Sequence, residues 1–165
     1  MADTPDAVTR PVAVVTGVPR RAGIAAAVAR VLASSGWDVA MTGWPAFDET
    51  VSWGGDTGVP DMLVSEAKAA GGRAVYLPAD LGSVEAIPQI FDRAQGTLGP
   101  VIALVVVHNY ETEASAGLFD VTPAEFDRSM AINPAPPCSS RPSSGGGTPG
   151  PRAAAASSRS PAGSR

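Results

Sequence analysis

The residues with the clearest capacity for chemistry lie near the front of the chain, in Thr16-Gly17-Val18-Pro19-Arg20-Arg21-Ala22-Gly23-Ile24-Ala25. A pyrophosphate needs a tight turn, close approach of the backbone and the positive end of a helix. Gly17 can supply the turn and Gly23 the close approach. Ala25 is small enough for helix–strand packing, and Arg20 and Arg21 bring positive charge to the loop. The alternative is an ordinary strand-to-helix turn that happens to hold glycines. The position of the two glycines, directly after an apolar strand and opening a helix, favours the phosphate-binding reading. A P-loop is excluded, because Gly-Lys-Ser/Thr does not occur and the only lysine is Lys68.

The elements that would hold this loop follow from the apolar pattern. Val12–Val15 reads as a buried strand ending at Thr16-Gly17. Gly23 to Leu32 reads as a helix with Ile24, Val28, Val31 and Leu32 on its apolar face, closed by Gly36. Asp38–Thr42 is a second strand, and Trp44 to Val59 a long glycine-rich loop. Pro60 suits a first helical position, with the helix running to about Ala70. Ala74–Leu77 is a third strand. Ser83–Leu98 is mostly helical, with Pro88 delaying or bending its start. Val101–Val107 is a fourth strand. Thr122-Pro123-Ala124-Glu125 is a capping box opening a helix through Ile132. Apolar strands alternating with helices predict an α/β, Rossmann-like, doubly wound parallel sheet, here incomplete.

In order and spacing, residues 11–133 resemble the short-chain dehydrogenase/reductase family, whose glycine signature is Thr-Gly-x-x-x-Gly-x-Gly. Two departures stand out. The stretch between Gly17 and Gly23 is longer by two residues, and Ala25 replaces the last glycine. The resemblance implies cofactor contacts from Thr16, Gly17, Arg20, Arg21, Gly23 and Ile24. NAD-preferring members place an acid where Gly43 stands, to bind the adenosine ribose hydroxyls. Here no acid follows until Asp48. With Arg20 and Arg21 nearby, NADP is favoured and NAD is the alternative. Asp80-Leu81 resembles the family's pair that meets adenine, the carboxylate at its amino group and the next backbone N–H at a ring nitrogen. A simple turn at Asp80 is the other reading. Val106-Val107-His108-Asn109 replaces the family's Asn-Asn-Ala-Gly, and a lone histidine at a strand end reads more readily as structural than as a site residue. Asn133 matches the family asparagine that holds a water in the proton relay, and so stands as the catalytic candidate. Asparagine is also a common helix terminator.

Composition sets the frame. The 165 residues are 44% apolar, with no apolar run long enough to span a bilayer and no signal-peptide pattern at the start. One cysteine, Cys138, forms no internal disulfide, so a cytoplasmic location is the default expectation. Residues 134–165 carry four arginines and no acid, which leaves about −8 on the rest of a chain whose total is −4. An acidic body argues against nucleic-acid binding, and no ligand cluster argues for a metal. Three segments are expected: a flexible start over 1–10, a partial dinucleotide-binding domain over 11–133, and a disordered tail over 134–165. In that tail, 30 of 32 residues are Pro, Ser, Gly, Ala or Arg.

The family moves a hydride between a nicotinamide and an alcohol or carbonyl carbon, using a serine and a tyrosine with a lysine four residues later. Here Tyr76 and Tyr110 are the only tyrosines, and neither is followed by such a lysine. The expectation is therefore a reductase cofactor half, truncated and inactive as written. It is not expected to form the family's homo-oligomer, and a non-catalytic nucleotide-binding fragment is the alternative. Back-translating Cys138–Ser144 one base earlier permits Leu-Leu-Ile-Glu-Ala-Glu-Phe, a helical string. The same shift over Ala155–Gly163 permits Gly-Arg-Ile-Val-Ser-Leu-Thr-Ser-Gly, similar to the family's fifth strand and serine. A one-base frameshift just after Asn133 would account for both.

Overall fold

The computed structural model describes residues 10–52, 54–111 and 120–133. The expected tail (134–165), the proposed frameshift within it, and all of the expected flexible start except Arg10 lie outside the described residues.

Four parallel strands, β1 (Val12–Thr16), β2 (Asp38–Thr42), β3 (Ala74–Tyr76) and β4 (Val101–Val105), form one sheet in the order β3-β2-β1-β4. β1 pairs in register with β2, Val12 facing Asp38 and Thr16 facing Thr42. Its pairing with β4 slips once, between Val12 and Ala13. β1 and β2 are buried along their whole length, which is why both read as near-continuous apolar runs. Alternate residues face opposite layers. Val15, Val39 and Met41 pack under α1 (Ile24–Ser34) and α3 (Val59–Ala69). Val12, Val14, Ala40 and Leu77 pack under α4 (Ala86–Leu98). With α1 and α3 on one face and α4 on the other, the sheet is doubly wound, as expected.

Several local expectations are corrected. The buried face of α1 is an alanine stripe of Ala25, Ala26, Ala29 and Ala33, while Ile24 is 74% exposed and Val31 65% exposed. Small residues let α1 lie close on the sheet and on α3, a geometry that periodicity of large side chains does not report. The loop after β2 contains a short helix, α2 (Pro45–Asp48), with Pro45 at its first position. α4 begins only at Ala86, so Pro88 falls in its first turn, where a missing N–H costs nothing. β3 and β4 stop at Tyr76 and Val105, short of the predicted Leu77 and Val107. Arg10 is not part of a loose end. Its guanidinium donates to the carbonyls of Ala33 (3.0 Å) and Trp37 (3.2 Å) and pairs with Asp38 at 3.2 Å. Asp38 is fully buried and also takes Arg73 at 2.6 Å, so one carboxylate anchors the start of β2 to both of its flanks. The last helix, α5 (Pro123–Ile132), opens with the expected reciprocal capping box, Thr122 to the Glu125 N–H and Glu125 back to the Thr122 N–H.

Candidate functional site

The chain runs β1 to β2 to β3 outward on one side, then crosses to place β4 on the other side of β1. In open α/β sheets, ligands bind at the carboxyl ends of the strands where the order reverses. A cleft of about 790 Å³ lies there, within the usual size of ligand pockets. The predicted residues Gly17, Arg20, Gly23, Ile24, Gly43 and Leu81 line it.

Gly17 takes φ +74°, and a Cβ there would lie 2.6 Å from the His108 Cα. The turn after β1 therefore needs both the left-handed backbone and the missing side chain. Gly23 is the residue before α1, and no side chain caps that helix. The first turn of α1 also carries no acid, so its N–H groups and positive dipole end stand open beside Arg20 at the cleft. Ile24 is the exposed apolar residue at this edge. Arg21 is exposed and does not line the cleft; its backbone N–H donates to Asp56 Oδ2 at 2.9 Å.

Thr16 faces inward. The Ile132 carbonyl can only accept, so His108 Nε2 carries the proton and donates to it at 2.9 Å. The Thr16 hydroxyl then donates to His108 Nδ1 at 2.7 Å and accepts from the Val107 N–H at 3.1 Å. This clasp joins the ends of β1, β4 and α5 directly beneath the cleft. His108 thus does structural work while its ring borders the site. Sequence reading weighed His108 alone and missed its partner, because the two residues are 92 positions apart.

Asp80 sits beside the cleft with its carboxylate turned to α5. Arg128 donates to Oδ2 at 2.6 Å, and the Gly82 N–H donates to Oδ1 at 2.8 Å. The Arg128 guanidinium also lies 4.9 Å from the Trp44 ring centroid. Trp44 stacks on Phe47 at 5.3 Å, and Phe47 meets Tyr110 at 5.2 Å, so an aromatic row walls the cleft. Asn133, the catalytic candidate, holds the backbone of Tyr110 from both sides. Its Oδ1 accepts the Tyr110 N–H at 2.7 Å, and its Nδ2 donates to the Tyr110 carbonyl at 3.2 Å and to Ser129 Oγ at 3.0 Å.

Gly43 has a physical reason to be glycine. A Cβ there would lie 2.6 Å from the Tyr76 hydroxyl and 3.2 Å from the Val18 carbonyl oxygen. The Tyr76 phenol is pushed up to about 12, first by burial and then by the negative charge of Asp48. Burial also raises the Asp48 carboxyl above its ordinary value, and Arg20 partly offsets the rise. Among the described residues there is no group of three or more His, Cys, Asp or Glu placed to hold a metal, and no helix is long and apolar enough to cross a membrane.

A parallel sheet that reverses order at β1, with a glycine turn and an uncapped helix at the reversal, defines a dinucleotide-type α/β domain. The chain belongs to the short chain dehydrogenase family, whose model matches residues 11–139. It is 34% identical over 122 residues to elsinochrome reductase 1 from Elsinoe fawcettii, covering 74% of this chain and 40% of that protein. A dehydrogenase/reductase from Sinorhizobium meliloti superposes with a TM-score of 0.63 at 36% identity, over 78% of this chain and 46% of the other. A metagenomic blue fluorescent protein solved in complex with NADPH gives 0.65 at 34% identity, over 78% and 47%. The chain therefore spans less than half the length of these relatives.

Proposed function

We propose that this chain provides the NADP(H)-binding half of a reductase that transfers hydride between NADP(H) and a small alcohol or carbonyl compound, acting in the cytoplasm. The observation that carries the reading is the open, uncapped N-terminus of α1 facing the cleft beside Arg20. The residues present fit the cofactor. Gly17 and Gly23 let backbone approach a pyrophosphate, and the first-turn N–H groups of α1 donate to it. Arg20, at the cleft wall, donates to a 2′-phosphate, where the space at Gly43 disfavours an acidic side chain, and Arg21 adds positive charge from outside the cleft. Ala79 and Leu81 line the cleft, where the adenine would lie. Each Asp80 oxygen keeps a lone pair for the adenine amino group beside its contact to Arg128 or Gly82. When bound, the cofactor supplies the hydride. Asn133 orients the Tyr110 backbone beyond β4, and the second lone pair of its Oδ1 can take a water of the proton relay.

A second reading is nucleotide binding without turnover. Calorimetric titration of the full chain with NADPH and NADH tests the first step: saturable binding, tighter for NADPH, is expected. Failure of either nucleotide to bind at millimolar concentration overturns the proposal. Binding with no oxidation of NADPH in the presence of ketones and quinones selects the second reading.

A further inference from the structure

Asp80 and Trp44 stand at neighbouring strand ends. The loop after β3 is tied to the end of β2 by the Ala79 N–H, which donates to the Gly43 carbonyl at 2.9 Å. One side chain from a distant element meets both residues. Arg128 of α5 pairs with Asp80 Oδ2 at 2.6 Å and sets its guanidinium 4.9 Å from the Trp44 ring centroid. The same guanidinium lies against Gly82, where a Cβ would come within 3.0 Å of Arg128 Cζ and 3.1 Å of Asp80 Oδ1. A side chain at position 82 would therefore push the guanidinium off its seat. Arg128 does not itself line the cleft, so whatever it does there it does through its partners.

The Asp80 side chain is 28% exposed, so packing alone does not fix it. Its two oxygens are fixed separately instead, Oδ2 by Arg128 and Oδ1 by the Gly82 N–H at 2.8 Å. The carboxylate cannot turn about its last bond without losing both contacts, and its remaining lone pairs keep one direction. An ionised carboxylate only accepts. Held still, it distinguishes a purine with a donor at position 6 from one with an acceptor there. Resting on the NADP(H) reading, we propose that Arg128 is a positioning residue for the base. Acting through Asp80, it makes the site read the 6-amino group of adenine and reject a 6-oxo purine. Arginine suits the task because its plane serves a carboxylate and an aromatic ring together, which a lysine ammonium does not. Base recognition is thereby placed under the control of α5, a helix that buries only Ile132 and follows β4 on the other side of β1 from β2 and β3. A site built to hydrogen-bond a particular donor rejects the analogue that lacks it more strongly than an apolar pocket can.

The test is calorimetric titration of the full chain with NADPH and with its 6-oxo (hypoxanthine) analogue. The unaltered chain should prefer NADPH by about tenfold or more, the size of one hydrogen bond to a charged acceptor. In Arg128→Gln the preference should shrink to about threefold or less, with the affinity for the analogue nearly unchanged. Arg128→Lys, which keeps a cation at Asp80 Oδ2, should restore most of the preference. Gly82→Ala keeps every charged group but displaces the guanidinium, and should lower the preference as Arg128→Gln does. It decides the matter if Arg128→Gln does not fold. A ratio that these variants leave unchanged, or an equal loss for both nucleotides, would mean that Arg128 only holds α5; the positioning role is then wrong while the NADP(H) reading stands. If the unaltered chain binds NADPH and the analogue equally, Asp80 does not read the base and the inference falls. If it binds neither, the NADP(H) reading falls and the inference with it.

Discussion

α1 and α5 begin in opposite ways. α5 satisfies its own first turn with the Thr122–Glu125 box and a proline, and Glu125 places negative charge where the helix dipole favours it. α1 has glycine before it, no side-chain cap and no acid in its first turn. By local stability alone α1 is the poorer design. Its stability comes instead from the alanine face buried on the sheet, with Ala25 and Ala26 at 1% and 0% exposure. α5 buries only Ile132 and leaves Phe126 58% exposed. One helix is held by packing and keeps its positive end available; the other closes its own start and is tied down by the polar contacts of Arg128, the Ile132 carbonyl and Asn133. The difference separates the part of the fold proposed to meet the nucleotide from the part that closes its own turn.

The largest effect is expected where the ligand turn meets the rest of the sheet. Gly17→Ala forces a side chain into a left-handed backbone and against the His108 main chain, 2.6 Å from its Cα. The two penalties together should remove about 2–4 kcal/mol of stability, measured by urea unfolding. Because His108 also holds Thr16 and Ile132, the loss should appear in α5 as well as at β1, as faster amide exchange in both. A loss confined to the glycine turn would show that the clasp does not couple the two regions.

Second in size is the attempt to give α1 what α5 already has. Gly23→Asp supplies an N-cap oxygen at an ordinary backbone conformation, φ −76°. Stability should change by only a few tenths of a kcal/mol. NADPH affinity should fall at least tenfold, about 1.4 kcal/mol, because the carboxylate takes the N–H groups and opposes the phosphates. Gly23→Ser, a neutral cap, should fall less. Equal affinity in Gly23→Asp and the unaltered chain would mean that the open end of α1 is not where the anion sits.

Much of this contrast is legible in the sequence, though unevenly. Thr122-Pro123-Ala124-Glu125 announces its cap because all its partners lie within one turn. The glycine loop is equally local, and its position after an apolar strand gives the site. The buried strands are visible because both faces are covered and the apolar runs are unbroken. What escapes is of two kinds. Four-residue α2 is too short for periodicity, although Pro45 after Trp44 was a usable start signal, and with it went the aromatic wall. The other losses are contacts between distant positions: Thr16 with His108, and Asp80 with Arg128, 48 residues apart. Spacing reports residue types at each end of such pairs but not their meeting. It placed Asp80 at the adenine end without showing that an arginine from α5 already holds its carboxylate.

The smallest effect should come from α5, and it tests the other half of the contrast. Thr122→Ala removes the hydroxyl that accepts the Glu125 N–H at 3.2 Å and donates to the Glu125 carboxylate at 2.8 Å. Loss of an N-cap costs about 1 kcal/mol. In a helix that buries little else, the cost should appear as local opening: faster amide exchange at Glu125 and Phe126, with the exchange of β1 and β2 unchanged. NADPH affinity should not move, because the cap lies outside the cleft, which α5 borders only at its far end, through Ile132. If affinity does fall with Thr122→Ala, the start of α5 is mechanically linked to the site. Arg128, bridging α5 to Asp80 and to the Trp44 ring, is then the connection to examine.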